Sequence, residues 1–127
     1  MESSSRFQGV RVGGVAWSLS SPLVIGRRPS GPRVLRGDVP ALVTVPSPRG
    51  EVSGSHVEIR QEGSAVVVTD LRSTNGTRVE IPGRNPVALR QGESLVVLTG
   101  TIVDIGDGNL LEILPFTRII PQEEPHQ

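Results

Sequence analysis

The 127-residue chain is long enough for one hydrophobic core and too short for two. Aromatic residues make up 2% of it, cysteine is absent, and the formal net charge is zero. These values exclude disulfide staples, thiolate metal sites and cysteine nucleophiles, and they argue against broad nucleic-acid binding.

Fifteen Gly and eleven Pro punctuate a sequence rich in Val, Leu and Ile, which favours many short strands over long helices. No apolar run approaches the roughly 18 residues of a membrane span, and MESSSRFQGV lacks a signal-peptide pattern. Residues 1–7 are expected to form a flexible N-terminus. GVRVGGVAWSLSSPLVIGR reads as two or three strands, the last centred on Leu23, Val24 and Ile25, with Trp17 in the core or on a sheet face. The polar segment RRPSGPRVLRGDVP (27–40) precedes a short strand, ALVTV (41–45), bracketed by Pro40 and Pro46. A second polar segment, PSPRGEVSGS (46–55), follows. Loops of such length in a compact domain tend to be functional or disordered.

HVEIRQ (56–61) alternates, with Val57 and Ile59 on one face and Glu58 and Arg60 on the other. The dipeptide Glu62-Gly63 turns it into SAVVVTDL (64–71), a hairpin partner. TRVEI (77–81) alternates again. Between these two runs lie Arg72, Ser73, Thr74, Asn75 and Gly76, more than a hairpin needs, because Asn75-Gly76 alone would serve as the turn. VALR (87–90), ESLVVL (93–98), TIVDI (101–105) and LLEIL (110–114) complete the strand-like runs, with Asp107-Gly108 expected as a type I′ turn. Residues 115–127 are expected to be a C-terminal tail or linker. No window carries a 3.6-residue period with capping residues. The expected fold is all-β, an antiparallel β-sandwich of about ten or eleven short strands.

The residue types that remain unexplained gather in IGRR (25–28), VSGSHVEI (52–59) and DLRSTNGT (70–77). Together they offer guanidinium groups, hydroxyls, an imidazole and a side-chain amide. On a sandwich, loops distant in sequence can meet at one end. An oxyanion suits such a set: Arg presents a rigid fork of donors, while hydroxyls and backbone N–H groups take the remaining oxygens. The charge distribution agrees. Residues 26–50 hold five Arg and one Asp, whereas residues 101–127 hold five acids and one Arg. A locally cationic stretch on a neutral chain points to a confined anionic ligand.

In that order and spacing, Gly26-Arg27, Ser53-Gly54-Ser55-His56 and Ser73-Thr74-Asn75-Gly76-Thr77 resemble the forkhead-associated (FHA) domain, a SMAD/FHA-like sandwich. The apolar flanks Ile25, Val52, Ile59 and Leu71, and the closing RQGESLVVL and VDIGDG, are also similar. The resemblance covers residues 8–114. It implies a phosphothreonine-peptide binding module in Ser/Thr-kinase signalling, with no enzymatic activity, cofactor or metal. Its expected partner is a phosphothreonine-containing protein or peptide, itself a kinase substrate, with no nucleic acid and no direct membrane contact. The resemblance assigns Arg27 to the phosphate or adjacent peptide backbone, Ser53 and Thr74 to phosphate oxygens, and Asn75 to the peptide main chain. Gly54 contributes its backbone to the same site, while Gly26, His56 and Gly76 shape and brace the loops.

One departure is Gly54, where relatives often carry Arg or Asn; Arg28, Arg33, Arg49 or Arg72 are the residues placed to compensate, with Arg33, Arg36 and Arg49 as a basic rim. Glu51 is expected to touch peptide positions beyond the phosphothreonine and to disfavour acids there. The competing readings are a Ser53–His56 nucleophile pair, which lacks a Gly-x-Ser-x-Gly context, and a phosphate-independent interaction or oligomerisation module. As a metal ligand His56 has only His126 for company. All thirteen basic residues are Arg, and that usage together with LVTVPSP is similar to actinobacterial members of the family. The expected location is the cytoplasm, with a place inside a larger signalling or membrane-associated protein as an option.

Overall fold

The structure, a computed structural model, describes residues 6–31 and 38–118. The expected rim residues Arg33 and Arg36, and the tail with His126, lie outside them. Eleven strands and no helix occur among the described residues, so none contains a helix long and apolar enough to cross a membrane. The strands are β1 (Arg6–Val12), β2 (Val15–Ser18), β3 (Leu23–Gly26), β4 (Ala41–Thr44), β5 (Val57–Glu62), β6 (Ala65–Asp70), β7 (Thr77–Glu80), β8 (Val87–Leu89), β9 (Ser94–Val97), β10 (Ile102–Asp104) and β11 (Leu110–Arg118). They form a six-stranded sheet in the order β2-β1-β11-β10-β7-β8 and a five-stranded sheet in the order β4-β3-β5-β6-β9.

Alternation drives the packing. In β5 and β6 the residues Val57, Ile59, Val66 and Val68 are fully buried, while their neighbours face outward. They meet Val10, Val79, Val103, Leu111 and Ile113 from the other sheet in one aliphatic core, with Trp17 packed at its margin. Fully burying each such side chain contributes roughly 1.5–3 kcal/mol. Nothing aromatic is needed to fill the interior.

Three features depart from the sequence reading. First, β3 and β4 pair in parallel, with Leu23 opposite Ala41 and Gly26 opposite Thr44. A parallel pair cannot be joined by a tight turn, because the chain must return to the strand's starting end. Much of the length of the 27–40 segment is therefore a topological need. Second, β6 and β7 belong to different sheets, so 71–76 is a crossover between layers and not a hairpin turn. Third, β1 starts at Arg6 and β11 runs to Arg118, with Arg6 opposite Arg118 and Phe7 opposite Thr117. Pro115 does not stop β11, because its missing N–H falls where the register shifts between Phe7 and Gly9. Arg6 also lies over the Phe116 ring at 5.1 Å from its centroid.

The topology puts one set of connections at one end. β3 and β4 end there, β5 begins there, and β6 ends there. Through the crossover, β7 begins at that end, opposite the end of β10, so the β10–β11 turn is there too.

Candidate functional site

Past the end of β3 the backbone continues a short ladder: Arg27 N–H donates to Ser53 O at 3.0 Å and Arg28 N–H to Gly54 O at 2.9 Å. Gly26 makes that approach possible. A Cβ on it would stand 2.0 Å from Gly54 O and 2.9 Å from Ser53 O, an impossible overlap for any other residue. The Arg27 side chain is exposed, and its Nε donates to Val52 O at 3.0 Å, which ties the guanidinium to the loop that carries Ser53. Ion pairs among the described residues are made by Arg11, Arg60 and Arg78, leaving Arg27, Arg28 and Arg72 to solvent.

Ser53 is half-buried, and its Oγ accepts the Thr74 N–H at 3.0 Å. That bond is one of several that join the β4–β5 loop to the 71–76 crossover. It leaves the Ser53 hydroxyl proton free to donate. The Thr74 and Asn75 side chains are exposed beside it, and Asn75 Nδ2 donates to Glu51 O at 3.0 Å. Gly54 is half-buried, and a Cβ there would meet only Arg28 O, at 3.7 Å. Arg27, Ser53, Gly54, Thr74 and Asn75 therefore share one rim, although 47 positions separate Arg27 from Thr74 (74 − 27 = 47).

His56 lies beneath the rim with no exposed surface. Its Nδ1 accepts Ser53 N–H at 3.0 Å, and its Nε2 faces Gly76 O at 2.8 Å. One ring nitrogen faces a donor and the other an acceptor, so the proton belongs on Nε2. The imidazole thus ties both loops to each other. It is bonded to the backbone of Ser53 and not to its hydroxyl, so the pair is not arranged as a nucleophile and its base.

The crossover has its own brace. The buried Asp70 carboxylate accepts Ser73 N–H at 3.0 Å, Ser73 Oγ–H at 2.5 Å and Thr77 Oγ1–H at 2.6 Å. Ser73 Oγ in turn accepts Gly76 N–H at 2.9 Å, and Gln91 Nε2 donates to Ser73 O at 3.2 Å. Gly76 takes φ +85° and Arg72 φ +59°, which bends the chain tightly between the layers. A left-handed arginine costs about 1–2 kcal/mol, so the surrounding bonds must hold it.

The β4–β5 loop is held from elsewhere. Asp107 takes φ +52° and Gly108 φ +76°, and Asn109 N–H donates back to Gly106 O at 2.9 Å, the expected type I′ turn. From that turn the Asp107 carboxylate accepts Ser47 Oγ–H, Glu51 N–H at 2.9 Å and Arg49 N–H at 3.1 Å. Desolvation pushes the Asp107 carboxyl up, but these hydrogen bonds and the Arg49 guanidinium together hold it below its ordinary value. Glu51 Oε1 accepts Asp107 N–H at 2.6 Å, so the Glu51 side chain is engaged inside the protein and not simply offered to a ligand. Asp70, Ser73, Thr77, Ser47 and Asp107 were not singled out by the sequence reading as supports of the site. The Asp-x-x-Ser spacing of Asp70 and Ser73, a side chain capping its own turn, was a usable signal. Nothing local pairs Asp107 with Ser47.

Beside Asn75, an open groove of ≈ 500 Å³ is lined by Glu51, Asn75, Arg78, Leu89, Asp104 and Gly106, among others. Among the described residues no group of three or more His, Cys, Asp or Glu is placed to hold a metal ion.

The chain is similar in structure to several solved proteins. These include the FHA domain of human APLF in complex with an XRCC1 bisphospho peptide, at 17% identity and TM-score 0.63 over 86% of this chain and 98% of that one. The FHA domain of the CT664 protein from Chlamydia trachomatis matches at 22% identity and TM-score 0.61, over 89% and 100% of the two chains. An FHA domain solved in work on phosphothreonine-dependent FHA interactions matches at 23% identity and TM-score 0.58, over 91% and 99%. No curated protein gives a significant sequence match. Identities this low show the fold alone, but the FHA domain family model matches residues 23–106, most of the chain. On that match, the chain belongs to the FHA domain family.

Proposed function

We propose that the protein is a phosphothreonine-peptide binding module, reading proteins phosphorylated by Ser/Thr kinases through the rim of Arg27, Ser53, Gly54, Thr74 and Asn75. The observation that carries this reading is the bond from Thr74 N–H to Ser53 Oγ, which joins the loop whose Val52 O holds Arg27 Nε to the loop that carries Thr74 and Asn75. A phosphate at pH 7 brings about −1.5 to −2 charges and three acceptor oxygens. Arg27 supplies the positive charge and a forked donor, Ser53 and Thr74 supply hydroxyls, and Asn75 borders the groove in which flanking peptide can run. Structurally similar FHA domains solved with a bisphospho peptide, or in work on phosphothreonine-dependent interactions, support it.

Both ring nitrogens of His56 are committed to the backbone of the two loops, which supports a binding role over a Ser53–His56 nucleophile pair. The cysteine-free composition suits a reducing compartment, and the reading places the domain in the cytoplasm, where kinases supply the ligand.

Titration of matched peptides carrying Thr, phosphothreonine or phosphoserine tests the reading. Phosphothreonine peptide should bind, its unmodified counterpart should not, and Arg27→Ala should weaken binding at least tenfold, the scale of a lost charged hydrogen bond of about 1.5–3 kcal/mol. A pocketed threonine methyl is worth about 1–3 kcal/mol, so phosphoserine should lag by at most tens-fold to about a hundredfold. Equal binding of the unmodified peptide, or an indifferent Arg27→Ala variant, would favour a phosphate-independent interaction or oligomerisation module instead.

A further inference from the structure

We infer that Asp107 is a positioning residue for this rim, its carboxylate fixing the loop that delivers Ser53. The inference rests on the phosphothreonine reading and names a device that tunes the same site. Residues 46–52 contain two prolines and a glycine and belong to no strand. Their donors converge on a carboxylate from the opposite sheet's turn: Ser47 Oγ–H, Arg49 N–H and Glu51 N–H all point to Asp107. The turn reciprocates, since Asp107 N–H donates to Glu51 Oε1 at 2.6 Å and Asn109 Nδ2 to Pro46 O at 2.9 Å. Turn and loop are in direct contact, because a Cβ on Gly106 would lie 3.0 Å from Glu51 Cβ.

From this clamp the bonds run straight to the rim. Ser47 Oγ also accepts Val52 N–H at 3.0 Å, and Val52 O holds Arg27 Nε. Glu51 O holds Asn75 Nδ2, and Ser53 Oγ holds Thr74 N–H. The turn itself has no need of a carboxylate. Asn-Gly fills a type I′ turn at least as well as Asp-Gly. What Asp107 adds is a charged acceptor for three loop donors, and thereby a loop ordered before the ligand arrives. Ordering such a loop during binding would subtract from affinity.

Asp107→Asn separates the two roles, keeping a residue at ease with left-handed φ while removing the charge. The probe is a peptide pool with phosphothreonine fixed at the centre and all other positions randomised. The variant should bind it roughly 5- to 20-fold more weakly, in the range of ordinary coupling between sites. Its melting temperature should fall only modestly at neutral pH, because the clamp lies near the surface. Amide hydrogen exchange at Val52 and Thr74, whose N–H groups bond to Ser47 and Ser53 and not to Asp107, should quicken. Ser47→Ala should act alike, and the double variant should lose no more than the larger single loss, since both break one clamp. Unchanged affinity, unchanged exchange at those two amides, or additive losses would overturn the inference and leave the phosphothreonine reading standing. Failure of the wild type to bind the pool would instead sink that reading, and hydrogen exchange would then decide the role of Asp107 alone.

Discussion

The two loops that meet at the rim are held in opposite ways. The 71–76 crossover is braced from within, by Asp70 acting on Ser73 and Thr77, its close neighbours in sequence. The β4–β5 loop is braced from without, by Asp107 acting across 56 to 60 positions on Glu51 and Ser47. Burial differs too: Asp70 is fully buried, whereas the Asp107 clamp sits at the surface. Loss of the first brace should cost folding, and loss of the second should cost mainly the readiness of the site. His56 is the tie between them, and its removal should do both.

The largest effect is expected from Asp70→Ala. It strips a buried acceptor from two hydroxyls and one N–H, each left unsatisfied at about 1–3 kcal/mol, so urea denaturation should show a loss of about 3–5 kcal/mol. A loss below about 1 kcal/mol would mean that the crossover is not held from within. His56→Ala comes next, at about 2–4 kcal/mol, because it opens a cavity and orphans Ser53 N–H and Gly76 O together. The same variant should abolish phosphopeptide binding even where it remains folded.

Acid should affect the outer brace. The carboxyl of Asp107 titrates below its ordinary value of 3.8 in the folded protein. Its stabilisation is therefore fully present above that value and is lost as pH falls through the lower folded one. Wild type and Asp107→Asn should differ in melting temperature near neutrality and converge as the pH drops below about 3.8. A gap that persists in acid would show that the carboxylate charge is not what matters. The smallest expected change is a gain. A Cβ at position 54 would meet nothing nearer than Arg28 O at 3.7 Å, so Gly54→Arg should fold normally. At an exposed rim it should tighten phosphopeptide binding a few-fold, by about 0.2–1 kcal/mol, with the gain fading at high salt.

The same contrast explains what could be read in advance. Alternation in HVEIRQ and TRVEI located β5 and β7, because a sheet with one buried face writes its period into the sequence. Short-range chemistry was legible as well, in Asp107-Gly108 as a type I′ turn. Properties set by partners far along the chain were not. The parallel pairing of β3 with β4 depends on where 27–40 travels, which no residue in it encodes locally. Glu51 looked like a ligand contact because its sequence neighbours carry the site, yet its carboxylate faces Asp107 N–H. Pro115 looked like the end of the fold and was not, since it sits at a bulge in β11, where Pro115 and Phe116 stand opposite the single Gln8 of β1.

The central claim is that loops remote in sequence form one phosphate-reading rim. Amide chemical-shift mapping during titration with a phosphothreonine peptide tests it most directly. The largest changes should fall on Arg27, Ser53, Gly54, Thr74 and Asn75, and the unphosphorylated peptide should leave those signals in place. Shifts confined to the outer faces of the sheets, or identical responses to both peptides, would contradict the account.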